Sequence, residues 1–267
     1  PLRAAPTLVA IVAVLVALTL PGCAKDLTRP IQTPVGSESV TIDFALAWSR
    51  DGQWIAFRRR APSSYGPPGV YVVHRTGGNI RSVYTPADLF FPREASFSPD
   101  GGFLAAVDFQ RQLLIINLRT HEVRRPLYTQ TAVHSPDWSP DGRTILYSQF
   151  YTGDPATTAD SLGLFLFDVD RGTTRPLRWN ADPVFASYPR WSPDGRHIAM
   201  DELVGPVEAL SVMNADGSGH RFLIPARSLQ LYYDTDWYRP GLGGGARILF
   251  WNTPSPSVGP YLINPDG

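Results

Sequence analysis

Only one cysteine, Cys23, and one lysine, Lys25, occur in the 267 residues. A single thiol cannot form an intramolecular disulfide, so the fold must be held by its core. The five histidines, His74, His121, His134, His197 and His220, are scattered. None stands at metal-ligand spacing with another His or Cys, and neither a metal nor a cofactor is expected. The chain has no Gly-x-Ser-x-Gly elbow and no Gly-Lys-Ser/Thr phosphate loop, which argues against the common hydrolase and nucleotide chemistries. Charge of one sign is also missing. Lys and Arg total 24, and Asp and Glu total 24. That balance argues against a nucleic-acid footprint or a polybasic membrane surface.

Long apolar runs are scarce too. Residues 8–20 are apolar except for Thr19. At ~1.5 Å per helical residue this run is too short for a hydrocarbon core of ~30 Å. It fits the apolar region of a secretory signal over residues 1–22. Gly241-Leu242-Gly243-Gly244-Gly245-Ala246 matches a dinucleotide fingerprint, but the strand-like Ile248-Leu249-Phe250 follows it. The fingerprint needs a helix N-terminus there, so a loosened hairpin turn is the better reading. Segments 168–172 and 214–218 look like fragments of a calcium loop without its closing Glu, and are read as β-turns.

What the chain does have is a repeat. Trp138-Ser139-Pro140-Asp141-Gly142-Arg143 recurs as Trp191-Ser192-Pro193-Asp194-Gly195-Arg196, as Phe97-Ser98-Pro99-Asp100-Gly101-Gly102, and as Trp48-Ser49-Arg50-Asp51-Gly52-Gln53. A degenerate copy starts at Trp237. The aromatic anchors, Trp48, Phe97, Trp138, Trp191 and Trp237, lie 41 to 53 residues apart. Ser-Pro-Asp-Gly is a tight turn, in which Pro presets φ, Asp caps the backbone and Gly takes positive φ. Each turn is followed by a β-branched and aromatic run, then by a second apolar run such as Leu113-Leu114-Ile115-Ile116, then by a closer such as Thr174-Arg175-Pro176-Leu177. Four strands per repeat of this length make an all-β fold, a β-propeller of four-stranded blades. Five blades are visible, starting near residues 40, 88, 131, 184 and 230.

The Trp-Ser-Pro-Asp-Gly-Arg copies, the Val-Met-Asn-Ala-Asp-Gly turn at 212–217 and the Arg-Pro-Leu closers resemble the WD40-like repeats of TolB-type propellers. The resemblance covers residues 40–267. It implies a non-enzymatic scaffold, although such blades also occur in prolyl-oligopeptidase-like enzymes. Leu20-Pro21-Gly22-Cys23 resembles a bacterial lipobox, which implies lipidation of Cys23 and a tether over residues 23–39. With Ala24 and Lys25, and no Asp, after Cys23, the pattern points to the periplasm and to the outer membrane. The chain begins with Pro and ends on Asn264-Pro265-Asp266-Gly267, after a third strand. Either residues 28–32 close a five-bladed ring, or the sequence is cut and further blades follow, which is the expectation here.

First strands line a propeller's channel, and their residues before each anchor are the candidate partner-binding set: Arg93, Glu94, His134, Asp137, Tyr188, Arg190, Asp234 and Asp236. Charged groups converging on a concave site suggest a mouth that binds envelope proteins or peptides. A polar wall that only holds water is the plain alternative. Two other functions stay open. One is the propeller portion of a serine peptidase cut before its hydrolase domain. The other is a sugar- or small-ligand-binding propeller, which would need Tyr65, Trp179, Tyr232 and Tyr233 at one opening.

Overall fold

The computed structural model describes residues 42–60, 67, 69–85, 95–108, 110–127, 131–151, 161–178, 184–204, 207–224, 232–238, 245–252 and 259–266. Cys23, the apolar leader and residues 28–32 lie outside them. The described residues form strands and turns with no helix, in five antiparallel blades arranged as a β-propeller.

Each blade is a meander. Blade one holds β1 (Ile42–Trp48), β2 (Trp54–Arg60), β3 (Gly69–His74) and β4 (Arg81–Tyr84). Blade two holds β5 (Ala95–Phe97), β6 (Phe103–Val107), β7 (Leu113–Asn117) and β8 (Val123–Arg124). In blade three come β9 (Val133–Trp138), β10 (Thr144–Tyr151), β11 (Ser161–Asp168) and β12 (Thr173–Arg178). Blade four follows with β13 (Val184–Trp191), β14 (His197–Val204), β15 (Val207–Asn214) and β16 (Arg221–Ile224). A single parallel pairing, Leu162 with Phe185, joins blades three and four into one sheet. Blade five shows three strands among the described residues: β17 (Tyr232–Tyr238), β18 (Arg247–Asn252) and β19 (Gly259–Ile263).

The repeat builds one hydrogen-bond net four times. In blade three the Ser139 hydroxyl donates to Asp141 Oδ1 (2.6 Å) and accepts from Thr144 N (3.0 Å), and Asp141 Oδ1 also accepts from Arg143 N (3.0 Å). Gly142, at φ 74°, closes the turn onto the Ser139 carbonyl (2.9 Å). The same contacts recur around Ser49, Ser98 and Ser192. These serines are buried, which makes their hydroxyls indispensable, since the N–H they cap has no water to turn to. Serine, aspartate and glycine carry the net. Proline contributes no bond to it, so Arg50 can stand in its place in blade one. The Ser49 hydroxyl and Gln53 N–H hold the Asp51 carboxyl below its ordinary range, and the Ser98 hydroxyl and Gly102 N–H do the same for Asp100.

Blades pack face to face through four apolar seams. Leu104, Ala106 and Phe97 meet Ala56, Val70 and Val72 between blades one and two. Trp138, Ile145 and Tyr147 meet Ala105, Leu113 and Ile115 at the next seam, where the Phe103 and Trp138 rings lie 6.5 Å apart. Trp191 packs with Leu146, Leu164 and Met200, and Trp237 packs with Ala199, Leu210 and Ile248. Four anchors thus close a seam with the preceding blade. Trp48 departs from the expected pattern: it is 54% exposed. Among the described residues no seam precedes blade one for its indole to enter.

Replacing Ser139 with Ala is expected to cost about 1–3 kcal/mol, because Thr144 N and the Asp141 carboxylate each lose a buried partner. Pro140→Ala should cost less than this. Urea unfolding of both variants checks the ranking, and equal losses would contradict it.

Candidate functional site

The inner strands of blades three and four are bent in the same way. Pro136 and Pro189 lie two residues before the anchors and cannot donate to the sheet ladder. The register slips there, between Leu146 and Ser148 on β10 and between Ser187 and Arg190 on β13. Ser135 and Tyr188, just before each proline, take φ of 50° and 49°. Such left-handed conformations are uncommon outside glycine and mark bulges that re-aim neighbouring side chains.

The residue just before each anchor then decides how consecutive blades are joined. Ser96 Oγ accepts from Trp138 N (3.1 Å) and donates to Asp137 Oδ1 (2.8 Å). Asp137 Oδ2 accepts from Trp191 N (2.7 Å). One relay therefore runs from blade two through blade three to blade four. At the next position stands Arg190, whose guanidinium can only donate. The pattern changes accordingly: Trp237 N turns to its own Asp236 Oδ1 (2.7 Å), and Trp237 Nε1 donates to the Arg190 carbonyl (3.0 Å). Beside it the Thr235 hydroxyl reaches Asp201 of β14.

This hub is electrostatically coupled. Burial pushes the half-buried Asp137 carboxyl up to about 6; Arg190, Trp191 N–H and the Ser96 hydroxyl oppose the rise, and the negative Asp236 adds to it. Asp137, Arg190 and Asp236, from three blades, therefore form one cluster. His134 meets Arg111 of blade two. Its Nε2 accepts from Arg111 Nη1 (3.0 Å), which leaves the ring proton on Nδ1. Arg111 sits in the turn between β6 and β7 at φ 58°, and its carbonyl accepts from Val133 N (2.8 Å). Tyr188 is half-buried within its bulge. Arg93, Glu94 and the side chain of Asp234 lie outside the described residues, as do the side chains of Tyr65, Trp179, Tyr232 and Tyr233. Sequence reading missed Ser96, Arg111, Thr235 and Asp201. Ser96 carried a signal, since it occupies the same place before its anchor as Asp137 and Arg190.

A second polar cluster lies within blade four. The fully buried Glu202 carboxylate meets the Ser211 hydroxyl, and His220 Nε2 lies 2.7 Å from the same oxygen. The carboxylate stands between hydroxyl and imidazole, so His220 is not placed to take the serine proton. Segments 168–172 and 214–218 are turns: Asp168 holds Arg171 N (2.8 Å) and Asp216 holds Ser218 N (2.9 Å). Among the described residues no group of three or more His, Cys, Asp or Glu side chains could hold a metal ion.

Asp137 makes a pH prediction with a definite sign. Its native carboxyl titrates near 6, against an ordinary 3.8, so between those values the folded chain holds a proton that the unfolded chain has lost. Its contribution is complete below that window and declines as pH rises through it. Asp137→Asn keeps an acceptor for Trp191 N and removes the titration. Wild-type stability relative to Asp137→Asn should fall from pH ~4 to ~6 and level off above. A flat difference across that range would contradict the assignment.

No family model matches the chain. Over 97 residues it is 36% identical to the Tol-Pal system protein TolB of Anaeromyxobacter dehalogenans, a match covering 36% of this chain and 20% of that protein. The matched segment is thus about a fifth of the length of this curated relative. Among solved structures, TolB from Acinetobacter baumannii superposes with a TM-score of 0.56 at 18% identity, covering 79% of this chain and 51% of that one. An oligogalacturonate lyase in complex with manganese superposes with a TM-score of 0.61 at 17% identity, covering 83% and 62%. At such identities the structural likeness establishes the fold, which enzymes share with non-enzymes. The chain thus matches TolB locally by sequence and shares the β-propeller fold of solved TolB structures, with five blades around one hub.

Proposed function

We propose that the chain is a non-enzymatic cell-envelope lipoprotein whose propeller binds protein partners through its channel mouth or loops. The observation that carries the reading is the hub cluster: Asp137, Arg190 and Asp236 bring charge of both signs to the inner strands of three consecutive blades. Mixed charge there suits a peptide or a partner's loop bearing both backbone polar groups and charged side chains. The sequence match to TolB, a protein named for the Tol-Pal system, supports an envelope partner and a periplasmic location. Cys23 at the end of an apolar leader supports a lipid anchor and an outer-membrane address.

Arg190→Ala and Asp236→Ala test the binding half, since Asp236 is exposed and neither side chain fills an apolar seam. Capture of envelope proteins on the purified chain should weaken by roughly tenfold for the double variant, compared at a temperature where both chains are folded, since Asp236 also caps Trp237 N and Arg190 faces Asp137. Unchanged capture by a folded double variant would remove the mouth as the binding surface. The anchor is tested separately. Wild type expressed from a gene encoding this leader should fractionate with membranes and incorporate labelled palmitate, and Cys23→Ser should do neither. A Cys23→Ser chain that still carries the label would contradict lipidation.

A further inference from the structure

Three of the four repeat turns have proline at their second position: Pro99, Pro140 and Pro193. Successive turns of this kind stack. A Cβ placed on Gly142 would lie 3.6 Å from Pro99, and one on Gly195 would lie 3.7 Å from Pro140. The stack is missing between blades one and two, where a Cβ on Gly101 would meet nothing within 4 Å. Blade one has Arg50 in the proline position. Its guanidinium reaches two other turns. Nη1 donates to the Pro140 carbonyl (3.1 Å) and Nη2 to the Pro193 carbonyl (2.7 Å), in blades three and four. Blade one's own apolar seam is with blade two, so this side chain reaches past its packing partner to two blades beyond.

The chemistry suits those sites. Each turn closes through the carbonyl of its serine, as in Gly142 N to Ser139 O and Gly195 N to Ser192 O. The carbonyls of Pro140 and Pro193 take no part in that closure and can accept from an outside donor. A guanidinium offers two N–H groups in a fixed planar fork, and so can serve two carbonyls on separate turns at once. An ammonium group is a compact point charge and does not match two acceptors in this way.

We infer that Arg50 is a cross-axis latch that spans the turn end of the propeller and ties the first turn to those of blades three and four. Its departure from the repeat is then the feature that joins blades with no shared seam. The latch does not depend on partner binding and is tested without any partner.

The test is amide hydrogen exchange by mass spectrometry on the full chain, comparing wild type with Arg50→Ala and Arg50→Lys. With the latch removed, the amides of 142–144 and 195–197 should exchange roughly fivefold faster, although the substitution lies in blade one. Arg50→Lys should give a smaller acceleration, confined to one of the two turns. Faster exchange limited to residues 49–54, or no change, would overturn the proposal. Should Arg50→Ala fail to fold, the Lys variant alone still decides it, since equal protection of both distant turns would contradict the need for a fork.

Discussion

Among the described residues the innermost strands of blades one, two, three and five are sheet edges, and that of blade four joins its neighbour only at Leu162–Phe185, so most outward backbone groups at the hub have no ladder to join. Unpaired edges are unfavourable when buried and invite wrong pairing when exposed. Here the residue before the anchor supplies the missing partner. Ser96 and Asp137 each take the anchor N–H of the next blade, which satisfies a donor and sets the spacing between two sheets with one bond. Where arginine occupies that place and can only donate, the next anchor uses its own aspartate and its indole instead. The hub is therefore held by side-chain acceptors, and the blades hang from it.

Everything further out follows from this spacing. Sheets fixed at the hub can interdigitate their faces, and the buried residues alternate accordingly: Leu146 packs towards blade four while Ile145 and Tyr147 pack towards blade two. In the first four blades the Ser-x-Asp-Gly net ties the turn of each hairpin beside its anchor. Placing Asp137 at the hub has an electrostatic cost, because its carboxylate loses water in order to hold three blades together. Burial raises its titration point, and Arg190 only partly offsets that rise.

Much of the architecture could be read from residues alone, because its causes are local. Turn chemistry and alternation within a run such as Arg143-Thr144-Ile145-Leu146-Tyr147 depend on neighbours a few positions away. The Ser96–Asp137 and Arg111–His134 pairs depend on contacts between blades, which local patterning does not encode. The bulges at Ser135 and Tyr188 follow from the prolines beside them, a cue visible in the sequence but easily absorbed into the strand reading. Trp48 shows the limit of arguing by repeat: it keeps the Trp-Ser-x-Asp-Gly frame of its fellows, yet it is exposed, because among the described residues no seam precedes its blade. Arg50 shows the converse, a one-residue departure whose purpose appears only when three turns are brought to one end of the wheel.

Side-chain bonds between inner strands hold the hub, and a double-mutant cycle on Ser96→Ala and Asp137→Ala measures one directly by chemical denaturation. If the two residues form one relay across blades two, three and four, the losses of the single variants will not add in the double, with a coupling of about 1 kcal/mol or more. Losses that add to within about 0.3 kcal/mol would show that the two side chains act independently, and would contradict the hub described here.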